Sequence, residues 1–383
     1  MSKRLDILIK NANIIDPVRS TIKKGYVAVV DGKLVNYDPD ESYIIDDVLD
    51  AEGYYVSPGW IDAHTHIFRG GTESGLPADV FLIPMGVTTT IDGGSSGYGN
   101  WQLFKKNIVD SSIMNIYYSL NVSPSGQITE RYPENVDPKA YIPKEYLKIL
   151  QVDSKHARGL KLRYGAEVVE CFGNHVLDKA IELAEELNCS MTLHVTNPPC
   201  SMEEILGKMR AGDVVCHIYQ GKQSTIIDKN EKIKEAVLEA RRRGVYFDSA
   251  DARINHSYKV IFPALEQGFK PDIISTDLVY SSAFRNMCWG LPVVLSKWLN
   301  LGLSLSEVIQ RCTYNPAKIH KLGNGLGTLN VGADANVTIF KVVDKNFHLK
   351  NRMNEDFCGS KLIVPAVTII NGEIMYRTVE YPF

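Results

Sequence analysis

From about residue 56 the chain repeats one rhythm, a short β-type run, a turn or loop, then a helical pattern. The runs are a stretch ending at His66, then 87–92, 113–121, 157–163, 190–195, 214–218, 245–248 and 273–277. Between them, 176–187 and 231–243 place apolar residues at three- and four-residue spacing, and the second stops at Gly244. Strands that alternate with helices imply a parallel sheet, and eight is the number that closes a (β/α)8 TIM barrel. Functional groups on such a barrel gather at the C-terminal ends of the strands.

The flanks read differently. Asp6-Ile7-Leu8-Ile9, Ala12–Pro17 and Tyr26–Val30 are short strands, and Asp31-Gly32 turns the chain into Lys33-Leu34-Val35. Near the other end, 332–340 and 366–370 read as strands, and Asn371-Gly372 is a strong hairpin signal before Glu373–Tyr376. The expectation is a small β-sandwich domain built from residues 1–55 and 328–383, beside a barrel of residues 56–327. No internal repeat, long linker or low-complexity segment interrupts this plan.

A formal net charge of -3 on 383 residues gives no footprint for nucleic acid or membrane. The start, Met1-Ser2-Lys3-Arg4-Leu5-Asp6-Ile7, lacks a signal-peptide hydrophobic region, and no apolar run approaches a membrane span. The seven cysteines are dispersed, without a Cys-x-x-Cys pair, which fits reduced thiols and a cytoplasmic location. Cys216, beside His217, could be a soft ligand, but it is expected to face the other side of its strand as small packing.

The strand ends carry the chemistry. In Pro58-Gly59-Trp60-Ile61-Asp62-Ala63-His64-Thr65-His66, residues i and i+2 of a strand share a side, so His64 and His66 point together. Further ends bring Lys161, His194, His217 and Asp277. Four imidazoles and a carboxylate around one mouth are a divalent-metal donor set. The lysine is the odd member, because an ammonium cannot ligate a metal. Either it pairs with Asp277 or an anion, or carbon dioxide converts its amine to a carboxylate that bridges two ions. Composition does not separate the two.

The segments PGWIDAHTH, GLKLR, LHV, VCHIYQG, STD and NPAKIHKLG…GTLNVGADANVTIF, in that order, resemble the amidohydrolase superfamily over nearly the whole chain. The most similar branch is that of amidohydrolase/deacetylases, beside dihydroorotases and dihydropyrimidinases. The resemblance implies two divalent ions, usually zinc. One would sit on His64, His66 and Asp277 and the other on His194 and His217, with a carboxylated Lys161 between them. It also implies that Asp277 works as general base and then acid, and that Gly93 and Gly94 serve shape. Relatives of this kind are often homo-oligomers; the sequence fixes no number.

Two loops depart from that branch. After the seventh strand, Ser249–His256 replaces a Gly-His-Gly-rich loop, and Leu278-Val279-Tyr280 follows Asp277 where histidine is usual. These loops line the expected substrate pocket. Arg163 and Arg253 are candidates to hold a substrate carboxylate, since a guanidinium fork matches one. His256 is a weaker candidate for a polar contact. The expected activity is hydrolysis of an amide or ester of a small carboxylate-bearing compound, that is, deacylation. Opening of a cyclic amide is second. A one-metal deaminase is disfavoured by Lys161, and a non-catalytic scaffold by the presence of all six expected ligands.

Overall fold

The computed structural model describes residues 3–251, 254–283 and 289–381. The first strands are β1 (Lys3–Asp16), β2 (Thr21–Val30), β3 (Lys33–Val35), β4 (Tyr43–Asp50) and β5 (Tyr55–Pro58). A second set follows: β6 (Trp60–Thr65), β7 (Val87–Asp92), β8 (Asn115–Asn121), β9 (Ala157–Arg163), β10 (Met191–His194), β11 (Val214–Cys216) and β12 (Tyr246–Asp248). The chain closes with β13 (Val337–Lys350), β14 (Asp356–Ile370) and β15 (Glu373–Arg377).

The second set forms one seven-stranded parallel sheet in sequence order, β6 to β12. Every residue of β6 and β7 is buried, as expected for strands covered on both faces. The sheet curls until both of its edges reach the segment 273–278. Asp248 bridges Ile273 and Thr65 bridges Leu278, both in parallel sense. His66 donates its backbone N–H to Leu278 O at 3.0 Å, and Asp251 donates to Ser275 O at 3.0 Å. The eighth expected run is therefore in place without forming a regular ladder. Asp277 has φ 51°, which interrupts the pleat where the strand would end.

Helices cover the outside. Val176–Glu186 turns Val176, Leu177, Ala180, Ile181, Leu183 and Ala184 into the core. The helix expected from residue 231 starts at Glu235 instead. The residues before it are held in a turn by Asp228, whose Oδ1 accepts from the backbone of Asn230 and Lys232. The helix ends as expected at Gly244, which adopts φ 93°. No helix among the described residues is long and apolar enough to cross a membrane.

Strands from the two chain ends make one eight-stranded sheet, ordered β15-β14-β13-β5-β1-β2-β3, with β4 paired to β1. The turns at Asp31-Gly32 and Asn371-Gly372 fall between paired strands as expected. The long β13–β14 hairpin is an addition that the sequence pattern did not give. The expected strand at 332–340 continues ten residues further, to Lys350, and its partner begins at Asp356.

Candidate metal centre

The histidine pair lies where β6 ends. His66 Nε2 is 3.2 Å and His64 Nε2 3.6 Å from Asp277 Oδ1, and all three residues are at least nine-tenths buried. One ligand atom from each of His64, His66 and Asp277 lies within 4.8 Å of the others. The turn after β7 permits this approach. A Cβ on Gly93 would stand 2.7 Å from His64 Nε2, and one on Gly94 2.6 Å from Lys161 Cγ. Both glycines are therefore required by space. Asp92, ending β7, fixes the surrounding loops by accepting the backbone N–H of Ile67, Gly94 and Ser95 at 3.0, 3.1 and 2.6 Å.

Lys161 comes from β9 and is 1% exposed. Its Nζ is 3.0 Å from His64 Nε2 and 3.4 Å from Cys216 Sγ, and it forms no ion pair with a carboxylate among the described residues. His194 and His217 complete the cluster, with ring centroids 4.4 Å apart. His217 Nδ1 bonds Ala250 O at 2.9 Å, so this nitrogen carries the proton and Nε2 presents a lone pair. His217 Nε2 is buried without a hydrogen-bond partner and lies 3.9 Å from Asp277 Oδ2. A buried imidazole nitrogen left without a partner beside a carboxylate is a place for a cation. The donor set fits divalent metal.

Electrostatics agree. Burial, reinforced by Lys161 and the other imidazoles, holds His64 well below its ordinary pKa. Burial likewise pushes His217 down to about 4. Neutral imidazoles are the ligating form. For Asp277, burial works upward, but the hydrogen bond with His66 and the neighbouring His217 and Lys161 outweigh it and keep the carboxyl low. Asp62 and Asp248 lie buried around the same strand ends, and burial raises them to about 7 and about 8. Asp62 accepts from Thr276 N at 3.1 Å and Oγ1 at 2.6 Å, which ties β6 to the segment bearing Asp277.

Cys216 corrects an expectation. It does not turn away from the mouth; its Sγ approaches Lys161, and with His64 and His217 it forms a second possible ligand group. The alternation of a strand fails here because His217 adopts φ 63°, so consecutive residues reach the same centre. Sequence spacing carries no signal of that.

A cavity of about 250 Å³ opens at the cluster, lined by His64, His66, Lys161, Arg163, His194 and Asp277 and also by Asn255, Lys222, Arg352, Glu130 and Glu167. Arg163 lines it as expected, but its Nη1 pairs with buried Glu134 at 2.9 Å. Arg253 lies outside the described residues. His256 is buried with its Nδ1 on Asp251 O at 2.6 Å. Sequence reasoning missed Asn255, which donates to Asp277 Oδ2 at 2.7 Å, and the hairpin residue Arg352.

Residues 55–375 match the model of the amidohydrolase family. The chain belongs to this family of hydrolases, whose members generally use metal ions. It is 30% identical over 352 residues to a deacetylase of Brucella anthropi, a match that spans 92% of this chain and 86% of that protein. A crystal structure of an adenine deaminase superposes with a TM-score of 0.89 at 28% identity, covering 98% of this chain and 100% of that one. A crystal structure of a dihydroorotase superposes with a TM-score of 0.84 at 28% identity, covering 97% and 98%.

Proposed function

We propose that this protein is a binuclear metal-dependent hydrolase that deacylates a small, carboxylate-bearing amide or ester. The observation that carries the reading is the convergence of His64, His66 and Asp277 beside a buried Lys161 and the unpartnered Nε2 of His217. His64, His66 and Asp277 would hold one ion and His194 and His217 the other, with a carboxylated Lys161 shared between them. An ammonium buried without a carboxylate partner is costly, and carboxylation would remove that charge. A donor set rich in imidazole favours zinc. Divalent ions bound there would supply Lewis acidity and an activated water.

The chain's own groups do the rest. Asp277, held low in pKa and fixed by Asn255, takes a proton from the attacking water and delivers it to the leaving nitrogen or oxygen. Ring opening of a cyclic amide needs the same groups, and the dihydroorotase likeness keeps it as the alternative. The adenine deaminase likeness raises a deaminase reading; Lys161 weighs against it, and ammonia release separates the two.

The same reading takes the curled sheet with segment 273–278 as a closed (β/α)8 barrel of residues 56–327. Residues 1–55 and 328–383 would form a composite β-sandwich domain. A hydrophobic cluster of its own supports that domain, joining Ile7, Ile9 and Val29 to Val337, Ile339 and Ile369. A cytoplasmic enzyme able to assemble as a homo-oligomer completes the proposal.

The test is proton release from zinc- and bicarbonate-loaded protein over acetyl esters of 2-hydroxy acids, N-acyl amino acids, dihydroorotate and hydantoins, with Asp277→Asn as the blank. A signal on one class that the blank lacks names the bond. Equal signals from enzyme and blank would remove Asp277 from the proton path.

A further inference from the structure

The β13–β14 hairpin ends over the cavity. Its tip is built around Asn351, which is 2% exposed. Asn351 Oδ1 accepts from the backbone N–H of Met353 and Glu355 at 2.9 and 3.0 Å, and its Nδ2 donates to His256 O at 3.2 Å. Glu355 accepts from Ser257 Oγ at 2.7 Å and from Tyr258 N at 2.8 Å, where the helix Tyr258–Glu266 begins. Met353 sits on Gly221, where a Cβ would come within 3.0 Å of its Sδ. The tip is thus docked on the loops that follow β11 and β12. Lys222 and Arg352, the chain neighbours of that Gly221–Met353 contact, both line the cavity.

The charged residues of the lining differ in how they are paired. Arg163 is bonded to Glu134, and Glu167 and Glu130 also act on it. Its guanidinium is already balanced by carboxylates, and a substrate anion there would meet net negative charge. Lys222 and Arg352 have no ion pair or side-chain hydrogen bond among the described residues. They are cations on the lining with no carboxylate partner among the described residues, whereas Glu130 and Glu167 of the same lining act on Arg163. We infer that Lys222 and Arg352 form the subsite that receives the carboxylate of the substrate, and that the hairpin tip is the element that selects acidic substrates. The inference rests on the hydrolase reading above and moves its carboxylate anchor from Arg163 to the hairpin side. An arginine fork with a mobile lysine suits a carboxylate at a partly wetted mouth.

The experiment compares N-acetyl amino acids with their matching carboxamides, on the metal-loaded wild type and on Lys222→Gln/Arg352→Gln. Neither side chain makes a polar contact among the described residues, so the variant should fold. Expected is a preference for the carboxylate in kcat/KM of about tenfold or more in the wild type, falling toward unity in the variant and shrinking as salt is added. A preference unchanged by the double substitution, or absent from the wild type, overturns the subsite. If neither member of any pair is hydrolysed, the reading as an amide deacylase has failed, and calorimetric binding of the same ligands to the same two proteins decides the subsite. Carboxylate binding that the variant loses sustains it; carboxylate binding retained by the variant, or absent from the wild type, overturns it.

Discussion

Asn255 donates its side-chain amide to Asp277 Oδ2 at 2.7 Å, while its own Oδ1 accepts from Thr196 Oγ1 at 2.8 Å. All three residues are buried, so the network is held in place. It orients the carboxylate proposed to carry the proton. Asn255→Ala should lower kcat about 10- to 100-fold while the protein keeps its metal, the usual cost of losing a ligand's supporting hydrogen bond. Asn255→Asp should place like charge against Asp277, raise its pKa and move the acid limb of the pH–rate profile upward. Steady-state kinetics across pH with metal analysis checks both. A variant with unchanged kcat and profile would make Asn255 mere packing.

Lys161 stands at 3.0 Å from His64 Nε2 with no carboxylate partner among the described residues. If it is the shared, carboxylated ligand, Lys161→Ala should lose both metal and turnover. A short carboxylic acid should restore part of each by filling the vacated space with an oxygen donor. Metal content by elemental analysis and activity with and without added acid are the readings. A folded, metal-loaded Lys161→Ala that no acid improves would argue against the bridging carboxylate.

What the sequence made legible follows from simple periods. The alternation of strand and helix, and the rule that strand ends face one mouth, brought His64, His66, Lys161, His194, His217 and Asp277 together before any coordinates. Those rules fail where the backbone leaves them. Left-handed His217 turns Cys216 inward, and left-handed Asp277 breaks the eighth run. Asn255 lies in a loop, where no period tells which side chain turns toward the carboxylate. The far part of the β13–β14 hairpin, with lysines, aspartates and asparagines mixed into it, has no clean alternation to mark it. Its tip is a tertiary contact that residue spacing cannot encode. The pairing of Arg163 with Glu134 is likewise long-range in the chain.

Lys297 and Asp251 form an ion pair at 2.6 Å in which both side chains are wholly buried. Trp298 Nε1 donates to the other Asp251 oxygen at 2.6 Å. Asp251 stands at the start of the loop that carries Asn255. Removing one partner of such a pair leaves an uncompensated buried charge, so Lys297→Met should destabilise the protein by roughly 3–5 kcal/mol. Adding Asp251→Asn to Lys297→Met should recover part of the loss, because the stranded charge is then gone. Denaturant unfolding of the two variants measures this. A Lys297→Met protein as stable as wild type would mean that Asp251 takes up a proton at little cost.

His320 offers a pH test away from the candidate centre. It follows the helix Tyr314–Ile319 and is 8% exposed. Burial, with Arg158 adding to it, pushes its pKa from 6.5 down to about 4. Above pH 6.5 the residue is neutral in both folded and unfolded chains and affects neither. As pH falls below 6.5 the unfolded chain takes up the proton first, so it binds more protons than the fold and stability drops. The loss continues until pH nears 4, where the folded form protonates as well, and then levels off. The full swing is on the order of 3 kcal/mol. In His320→Gln this part of the decline should vanish, and the difference in unfolding free energy between variant and wild type should slope between pH 6.5 and pH 4. A difference that stays flat across that window would show that His320 titrates alike in both states.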